Sequence, residues 1–204
     1  MQQKKFLFAA LFSIFLIGNI NAKDPFKNKS DQLRFEMIKL WEDHIVYTRN
    51  FIISTIANLE DQAAITQRLL RNQDDIGNAF KPYFGNDIGN RLRDLLREHI
   101  LIAADVVASA IAGNTQQFNQ DYEAWKRNAR MIARFLSKIN CHWSVHELKE
   151  MLYEHLALTT QEASSRLQMN WQSDIRAYDK NHIHMLMFAD ILTKGIMKKF
   201  PDRF

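Results

Sequence analysis

The sequence contains few of the residues that break helices or cross-link chains. Its 204 residues include one cysteine, three prolines and six glycines. The single cysteine, Cys141, cannot form an intramolecular disulfide, so packing has to stabilise the fold. A reactive thiol would need a positive charge nearby, and His142 follows it directly; a merely tolerated cysteine is the alternative. No run alternates apolar and polar residues as a half-buried strand does.

Several catalytic motifs are also missing. The chain has no glycine-rich phosphate loop, no Gly-x-Ser-x-Gly elbow and no His-Glu-x-x-His pair. The corresponding classes of nucleotide-binding protein, serine hydrolase and zinc peptidase are therefore not indicated. The formal charge of +4 falls to +2 without Lys4 and Lys5, because each lysine contributes one charge. A nearly balanced chain without a basic stripe interleaved with aromatics predicts no nucleic-acid partner.

The first 22 residues predict a secretory signal peptide. A short basic lead precedes an apolar run over residues 6–17, and Ala22 is a small residue at the expected cleavage point. The run is shorter than the roughly 20 residues of a membrane span, although an uncleaved anchor is the alternative. We therefore expect export to the periplasm or the medium, and one domain over residues 23–204 with no membrane span.

Apolar residues recur at helical spacing in six segments of the remaining chain. Gly85 and Gly113 end two of the segments, and Ser144 with Glu147 forms a capping box at the start of the fifth. Residues 100–112 are apolar but include Asp105, which indicates a core helix. Short connections make consecutive helices antiparallel neighbours. The sequence therefore predicts an all-α antiparallel bundle of about six helices.

Four histidines lie near the middle of predicted apolar helix stripes, where such a bundle can bring them into one layer. Asp179 precedes His182 by three residues, so these two side chains can share a face. Imidazoles with one carboxylate suit Zn²⁺, whereas iron or manganese usually recruits more carboxylates. One prediction is a divalent-metal site formed by His44, His99, His155, Asp179 and His182. The alternative is a structural network that satisfies the ring nitrogens.

A buried site for a small polar ligand is the third interpretation. Arg49 can pair with a buried acid or with an anionic ligand, although a surface ion pair is the default expectation. Asn72 and Asp75 belong to an unusual polar run beside Gly77. This run is either a kink that exposes ligand-binding groups or a solvated turn with a close helix crossing at Gly77. Glu162 lies two turns beyond the histidine of its helix, about 10 Å along the axis, and so belongs to a second layer.

Four spans resemble an uncharacterised bacterial all-helical family. They are residues 40–49 with Trp, His and Thr-Arg, 68–77 with Leu-Leu-x-Asn, 155–162 with His-Leu-x-Leu-Thr-x-x-Glu, and 178–179 with Tyr-Asp. The similarity extends over about residues 33–204. Members often carry names such as glycosyltransferase or acetylglutamate kinase, but this sequence has the sugar- or nucleotide-binding loops of neither. The resemblance implies a shared helical fold and a site at the matching positions His44, Arg49, Asn72, Asp75, His99, His155, Glu162 and Asp179.

These patterns predict an exported helical bundle of unassigned activity that binds a metal ion or a small ligand in a polar centre. The alternative is a secreted, effector-like interaction protein that acts on a protein partner through its surface, with purely structural histidines. A metal-activated water at an open coordination position would make the protein an enzyme. Access to the centre distinguishes these hypotheses, because a sealed layer favours a structural role and a cleft favours a binding function.

Overall fold

A computed structural model describes residues 28–204, so the predicted signal peptide at residues 1–22 lies outside the described residues. The helices are α1 Lys29–Ile56, α2 Gln62–Phe84, α3 Asn86–Ile111, α4 Thr115–Ile139, α5 Val145–Leu167 and α6 Trp171–Lys199, followed by a 3₁₀ turn at Pro201–Arg203. No strand occurs between residues 28 and 204. The predicted all-α fold with six helices is therefore confirmed.

The six helices form a closed ring. Each helix packs against the next one along the chain, and α6 returns to pack against α1. Hydrogen bonds between α5 and α6 give their relative direction: His155 contacts Asn181, whereas Ser165, further along α5, contacts Ser173, which lies earlier in α6. These two helices are antiparallel, as the short connection between them requires.

Side chains cap four of the helix starts by accepting a backbone hydrogen bond from the first turn. The acceptors are Asn28, Asn114, Ser144 and Asn170, and each binds the N–H three residues later at 2.8 to 3.3 Å. Ser144 is the cap that the sequence predicts. The caps satisfy N–H groups that have no partner inside the helix, which fixes where α4, α5 and α6 begin.

Two glycines allow a close crossing of α2 and α3. A Cβ added to Gly77 would lie 2.7 Å from the carbonyl oxygen of Gly89, and one added to Gly89 would lie 2.6 Å from that of Gly77. The backbone of α2 continues as a helix through Gly77. The close helix crossing is therefore present without the kink, but the expected solvated turn is wrong, because Asn72 and Gln73 are buried within the helix.

Two apolar clusters fill the interior, and a polar layer lies between them. The larger cluster includes Trp41, Leu96 and Leu152, and the smaller one includes Phe51, Ile100 and Ala163. Three histidines lie between these groups along α1, α3 and α5, and all are buried: His44, His99 and His155. Because buried polar groups are unfavourable unless they are hydrogen-bonded, this layer has to find partners inside the bundle.

Across residues 28–204, no helix combines the length and the apolar character needed to cross a bilayer. The apolar run at residues 100–112 belongs to α3, where Ile100 and Val107 are buried and Asp105 faces solvent. This run is a core segment, as predicted.

Candidate ligand site at the histidine cluster

Three of the predicted histidines converge. The ring centroid of His155 lies 5.5 Å from that of His44 and 6.2 Å from that of His99. The three side chains come from α5, α1 and α3, and each is 2 to 3% exposed. We call these three residues the histidine cluster. Its formation follows from the mid-helix positions of the three residues in a ring of antiparallel helices.

Two of the three rings donate through Nδ1 to an asparagine. The Nδ1 atom of His99 lies 2.8 Å from Oδ1 of Asn128, whose Nδ2 donates to the carbonyl of Leu95. Because that amide is held with its oxygen toward the ring, Nδ1 carries the proton and Nε2 is left as an acceptor. The same reasoning applies to His155, whose Nδ1 lies 2.8 Å from Oδ1 of Asn181.

The third ring has the opposite arrangement. Nδ1 of His44 lies 3.3 Å from Nε2 of Gln73. The two hydrogens of this amide are shared with the closer carbonyl of Leu69 and with Oδ1 of Asn72. A nitrogen donor opposite Nδ1 makes this atom an acceptor, so Nε2 of His44 carries the proton. Of the three Nε2 atoms in the histidine cluster, those of His99 and His155 therefore accept hydrogen bonds and that of His44 donates.

The histidine cluster is uncharged at neutral pH. Burial lowers the pKa of His99 to about 3 and that of His155 to about 4. Burial also lowers the pKa of His44 well below its usual value, and the nearby His155 and His99 lower it further. In each case the apolar surroundings disfavour the charged ring. A neutral site disfavours the binding of an anion that would need a charged partner.

A cavity of about 20 Å³ lies at the histidine cluster, and Thr48 and Trp125 contribute to its lining. Three lining side chains have a buried polar atom without a protein partner: Thr48 Oγ1, His99 Nε2 and Trp125 Nε1. The cavity exceeds the roughly 10–15 Å³ that a water-sized group needs. It therefore has room for one hydroxyl-sized group that makes these missing hydrogen bonds.

A larger apolar pocket adjoins this cavity. It has a volume of about 60 Å³ and shares Thr48, Phe51, Ala103 and Trp125 with the smaller cavity. Its lining includes the buried residues Val106, Val107 and Ala163. The rim of the pocket is formed by Ala110 and Ser164, which are only half-buried. The two spaces together offer a polar end and an apolar body, with a rim that approaches the surface.

Two predicted ligands do not join the histidine cluster, because α6 turns a different face inward. Its buried polar residues in this half are Asp174 and Asn181. At 3.6 residues per turn, Asp179 points about 200° away from Asn181, and it is exposed. His182 is displaced by about 100° and lies with Nε2 3.3 Å from Oε1 of Glu42. The expected convergence of Asp179 and His182 with the other histidines does not occur.

Arg49 and Glu162 belong to a separate ionic cluster that joins α1, α5 and α6. Nη1 of Arg49 donates to Oε1 of Glu162 at 2.8 Å and also to Oδ1 of Asp174, and Nη2 donates to Asp174 Oδ2 at 3.1 Å. Arg166 donates to the same Asp174 oxygen at 2.9 Å. Two arginines thus face two acids, which leaves little unbalanced charge for an anionic ligand.

Burial raises the pKa of Glu162 to about 7, although the hydrogen bond from Arg49 opposes this change. The side chain of Glu162 is 2% exposed, and that of Arg49 is 15% exposed. Desolvation of the carboxylate is the largest effect on this pKa, and the negative charge of Asp174 raises it further. Glu162 lies in a layer apart from the histidine cluster, as its spacing from His155 predicts.

Asn72 and Asp75 also lie outside the cavity lining. Nδ2 of Asn72 donates to the carbonyl of Leu40 at 2.9 Å, and its Oδ1 accepts from Gln73 at 3.0 Å. Asn72 therefore fastens α2 to α1. Asp75 is half-buried on α2.

A metal at the histidine cluster stays a prediction. Within the described part of the chain, no group of three or more His, Cys, Asp or Glu side chains is arranged to hold a metal ion. The rings of the histidine cluster are instead spaced and oriented by their amide partners. The Nε2 atoms of His99 and His155 are free acceptors in the neutral state, which is the chemistry that a metal would use.

Sequence reasoning misses the amides that organise the cluster: Gln73, Asn128 and Asn181. Each one is buried. The signal is visible in the sequence, because Asn128 lies three residues after Trp125 and four before Ile132, on the apolar stripe of α4. A polar residue on such a stripe requires an internal partner, and the same spacing argument identifies Asn181 between Ala177 and Met185.

No protein-family model, curated protein or solved structure matches this chain.

Proposed function

We propose that this protein is an exported helical bundle that binds a small neutral ligand beside the histidine cluster. The observation that supports this most directly is the set of unpartnered polar atoms on Thr48, His99 and Trp125. All three residues line one cavity. A buried polar atom without a partner costs about 1–3 kcal/mol, so a ligand group that supplies the missing hydrogen bonds gains affinity there.

The donors and acceptors suggest a hydroxyl group. Nε2 of His99 accepts, whereas Nε1 of Trp125 can only donate, and a hydroxyl can satisfy both atoms at once. The adjoining 60 Å³ pocket is lined mainly by apolar side chains such as Phe51 and Val106. The ligand class is therefore a small alcohol or phenol, with its hydroxyl in the cavity and its apolar body in the pocket. Because the two spaces together are smaller than the roughly 150 Å³ cavity that encloses benzene, a phenol ring has to extend past the half-buried rim.

The test compares two probes of similar size, phenol and toluene, by NMR titration of residues 23–204. We expect phenol to bind about tenfold more tightly, the equivalent of about 1.4 kcal/mol for the added hydrogen bonds. The indole N–H signal of Trp125, assigned with a Trp125→Phe variant, should shift with phenol. Thr48→Val should reduce the advantage of phenol over toluene. Equal affinities for the two probes would contradict the proposed polar recognition.

A matched pair of variants on α3 tests the location. Ala103 lines both spaces, so Ala103→Leu should fill them and abolish phenol binding. Ala108 is exposed on the same helix, so Ala108→Leu should leave binding unchanged. Binding that survives Ala103→Leu would place the ligand elsewhere.

A metal titration distinguishes binding of a metal ion from binding of a neutral ligand. It uses residues 23–204 purified without a histidine tag. The protein is titrated with Zn²⁺, Mn²⁺ and Fe²⁺, and a His155→Ala variant serves as the control. Stoichiometric metal binding that is lost in the variant, together with no phenol binding, would replace the neutral ligand by a metal ion.

A secreted interaction protein with structural histidines is the second candidate. The observation that favours it is the hydrogen bonding of all three Nδ1 atoms to internal amides, which is how structural histidines are satisfied. Failure of both the phenol and the metal titrations would leave this function.

Export itself is tested by the intact mass of the secreted protein, which should correspond to a chain that begins at Lys23.

A further inference from the structure

The C-terminal half of α4 carries a strongly basic outer face. Residues 124–146 contain five lysines and arginines and no aspartate or glutamate. Helical spacing places four of the five on the side opposite the buried Trp125, Ala129 and Ile132. We call these four residues the basic face: Arg127, Arg130, Arg134 and Lys138. Arg127, Arg134 and Lys138 are exposed, and Arg130 is half-buried.

Most of this charge is not neutralised within the bundle. Arg127, Arg134 and Lys138 take part in none of the ion pairs formed among residues 28–204. Arg130 donates to the hydroxyl of Tyr153, which is a neutral partner. Glu123 pairs with Lys126, which lies just outside the face, and is also within electrostatic reach of Arg127 and Arg130. The basic face therefore projects a local positive field from a nearly balanced chain.

An apolar side chain lies at the edge of the basic face. Met131 is 41% exposed, and it follows Arg130 directly and precedes Arg134 by three residues. From Arg127 to Lys138 the face extends about 17 Å at 1.5 Å per residue. The face is a helix ridge, so it suits a broad surface of many small anions better than a single shaped anion.

We propose that the basic face binds the surface of an anionic phospholipid bilayer. Its cations would contact lipid phosphates, and Met131 would contact the apolar boundary beneath the headgroups. A nucleic-acid backbone offers phosphates but nothing for Met131, and the aromatic Trp125 of α4 is buried rather than available to stack on bases. Each Lys or Arg near an anionic bilayer increases partitioning about fivefold, so four of them give reversible, salt-sensitive binding.

The experiment is sedimentation of residues 23–204, which contain the whole described bundle, with vesicles of 30% phosphatidylglycerol in phosphatidylcholine. We expect binding to these vesicles in low salt, little binding to pure phosphatidylcholine, and loss of binding in high salt. The triple variant Arg127→Gln, Arg134→Gln, Lys138→Gln should weaken binding on the order of a hundredfold. No binding of the unaltered protein to anionic vesicles would overturn the proposal.

A control variant of equal net charge separates the basic face from overall charge. Arg176, Lys180 and Lys198 are exposed on α6, and replacing all three with Gln also removes three charges. We expect this variant to retain at least most of the binding. An equal loss in both triple variants would overturn the proposal in favour of general electrostatic attraction. Tight binding of a short DNA duplex by the unaltered protein, with no vesicle binding, would overturn it in favour of nucleic acid.

Circular dichroism keeps the comparison interpretable, because all six substitutions are at solvent-facing or partly exposed sites and should leave the helical signal unchanged. A Met131→Ser variant tests the apolar contact separately, and it should weaken vesicle binding without changing its salt dependence. An unchanged affinity for this variant would remove the argument for lipid over other anionic surfaces.

Discussion

Arg49 and Glu162 are separated by 113 positions in the sequence, yet Nη1 of the arginine lies 2.8 Å from Oε1 of the glutamate. The contact joins α1 to α5, and Asp174 extends it to α6. Removing one partner of a buried ion pair typically costs about 3–5 kcal/mol, because the other charge is left uncompensated. This ionic cluster therefore fixes three helices beside the proposed ligand pocket.

Glu162→Gln should change how stability depends on pH. Burial raises the pKa of Glu162 to about 7 in the folded protein, so the folded state holds this proton more tightly than the unfolded state. The stability that this tighter proton binding contributes is fully present below about pH 4.5, and it is lost as pH rises through about 7. As pH rises from 5 to 8, the unaltered protein should lose up to a few kcal/mol that the variant does not lose, on top of a constant cost to the variant of losing the charge pair with Arg49. Urea unfolding across this range measures it, and parallel curves for the two proteins would contradict the raised pKa.

The histidine cluster should make the protein sensitive to acid. Burial lowers the pKa of His99 to about 3 and of His155 to about 4, so below pH 6.5 the unfolded chain takes up protons that the folded protein does not. Stability is fully present above about pH 6.5 and is lost as pH falls toward these values. His99→Gln should reduce the slope of stability against pH between 6 and 4 by about 1.4 kcal/mol per pH unit. Urea unfolding at several pH values measures the slope, and an unchanged slope would be inconsistent with a neutral His99.

Asn181→Ala should destabilise the bundle. Oδ1 of Asn181 accepts from His155, and its Nδ2 donates to Oγ1 of Thr159 at 2.9 Å. The variant leaves the buried N–H of the His155 ring without a partner, which lowers the free energy of unfolding by about 1–3 kcal/mol. It also removes the hydrogen bond to Thr159. The neighbouring Lys180 is exposed, so Lys180→Ala should change stability by no more than about 0.5 kcal/mol. Chemical denaturation compares the two, and similar small effects would mean that Asn181 does not organise the cluster.

Gly195→Ala should disrupt the packing of α6 against the α4–α5 connection. A Cβ at Gly195 would lie 1.8 Å from Nε1 of Trp143, which donates to the carbonyl of Ile191 at 3.2 Å. Forcing a methyl group into a packed interior costs about 1–3 kcal/mol or more. Thermal unfolding should show the loss, with Lys198→Ala on the exposed face of α6 as the control. If Trp143 can move aside freely, the variant will unfold at the original temperature.

The convergence of three histidines could be predicted, but not the way they are held. His44, His99 and His155 lie at similar depths in helices with clear apolar stripes, so a bundle brings them together. Their partners Asn128 and Asn181 are amides. Their position on apolar stripes indicates that they are buried, but only the folded ring of helices shows that a histidine is the partner of each.

The face of α6 is the clearest difference between prediction and structure. Apolar spacing favours an inward stripe through Ile175 and His182, yet Ile175 is 52% exposed and Asp174 is buried. The reason is that Asp174 binds Arg49 and Arg166, which come from α1 and α5. An ion pair between distant segments leaves no periodic trace in either one.

The sequence by itself determines the class of fold, because helical periodicity, capping residues and glycine positions are local properties that set where each helix begins and which stripe is apolar. It also determines the local charge of α4. Only the tertiary structure decides which polar side chains meet. The histidine cluster, its cavity with the unpartnered Trp125 and Thr48 atoms, and the Arg49–Glu162 contact all depend on the rotation of one helix against another, which is set by packing and hydrogen bonds across the bundle.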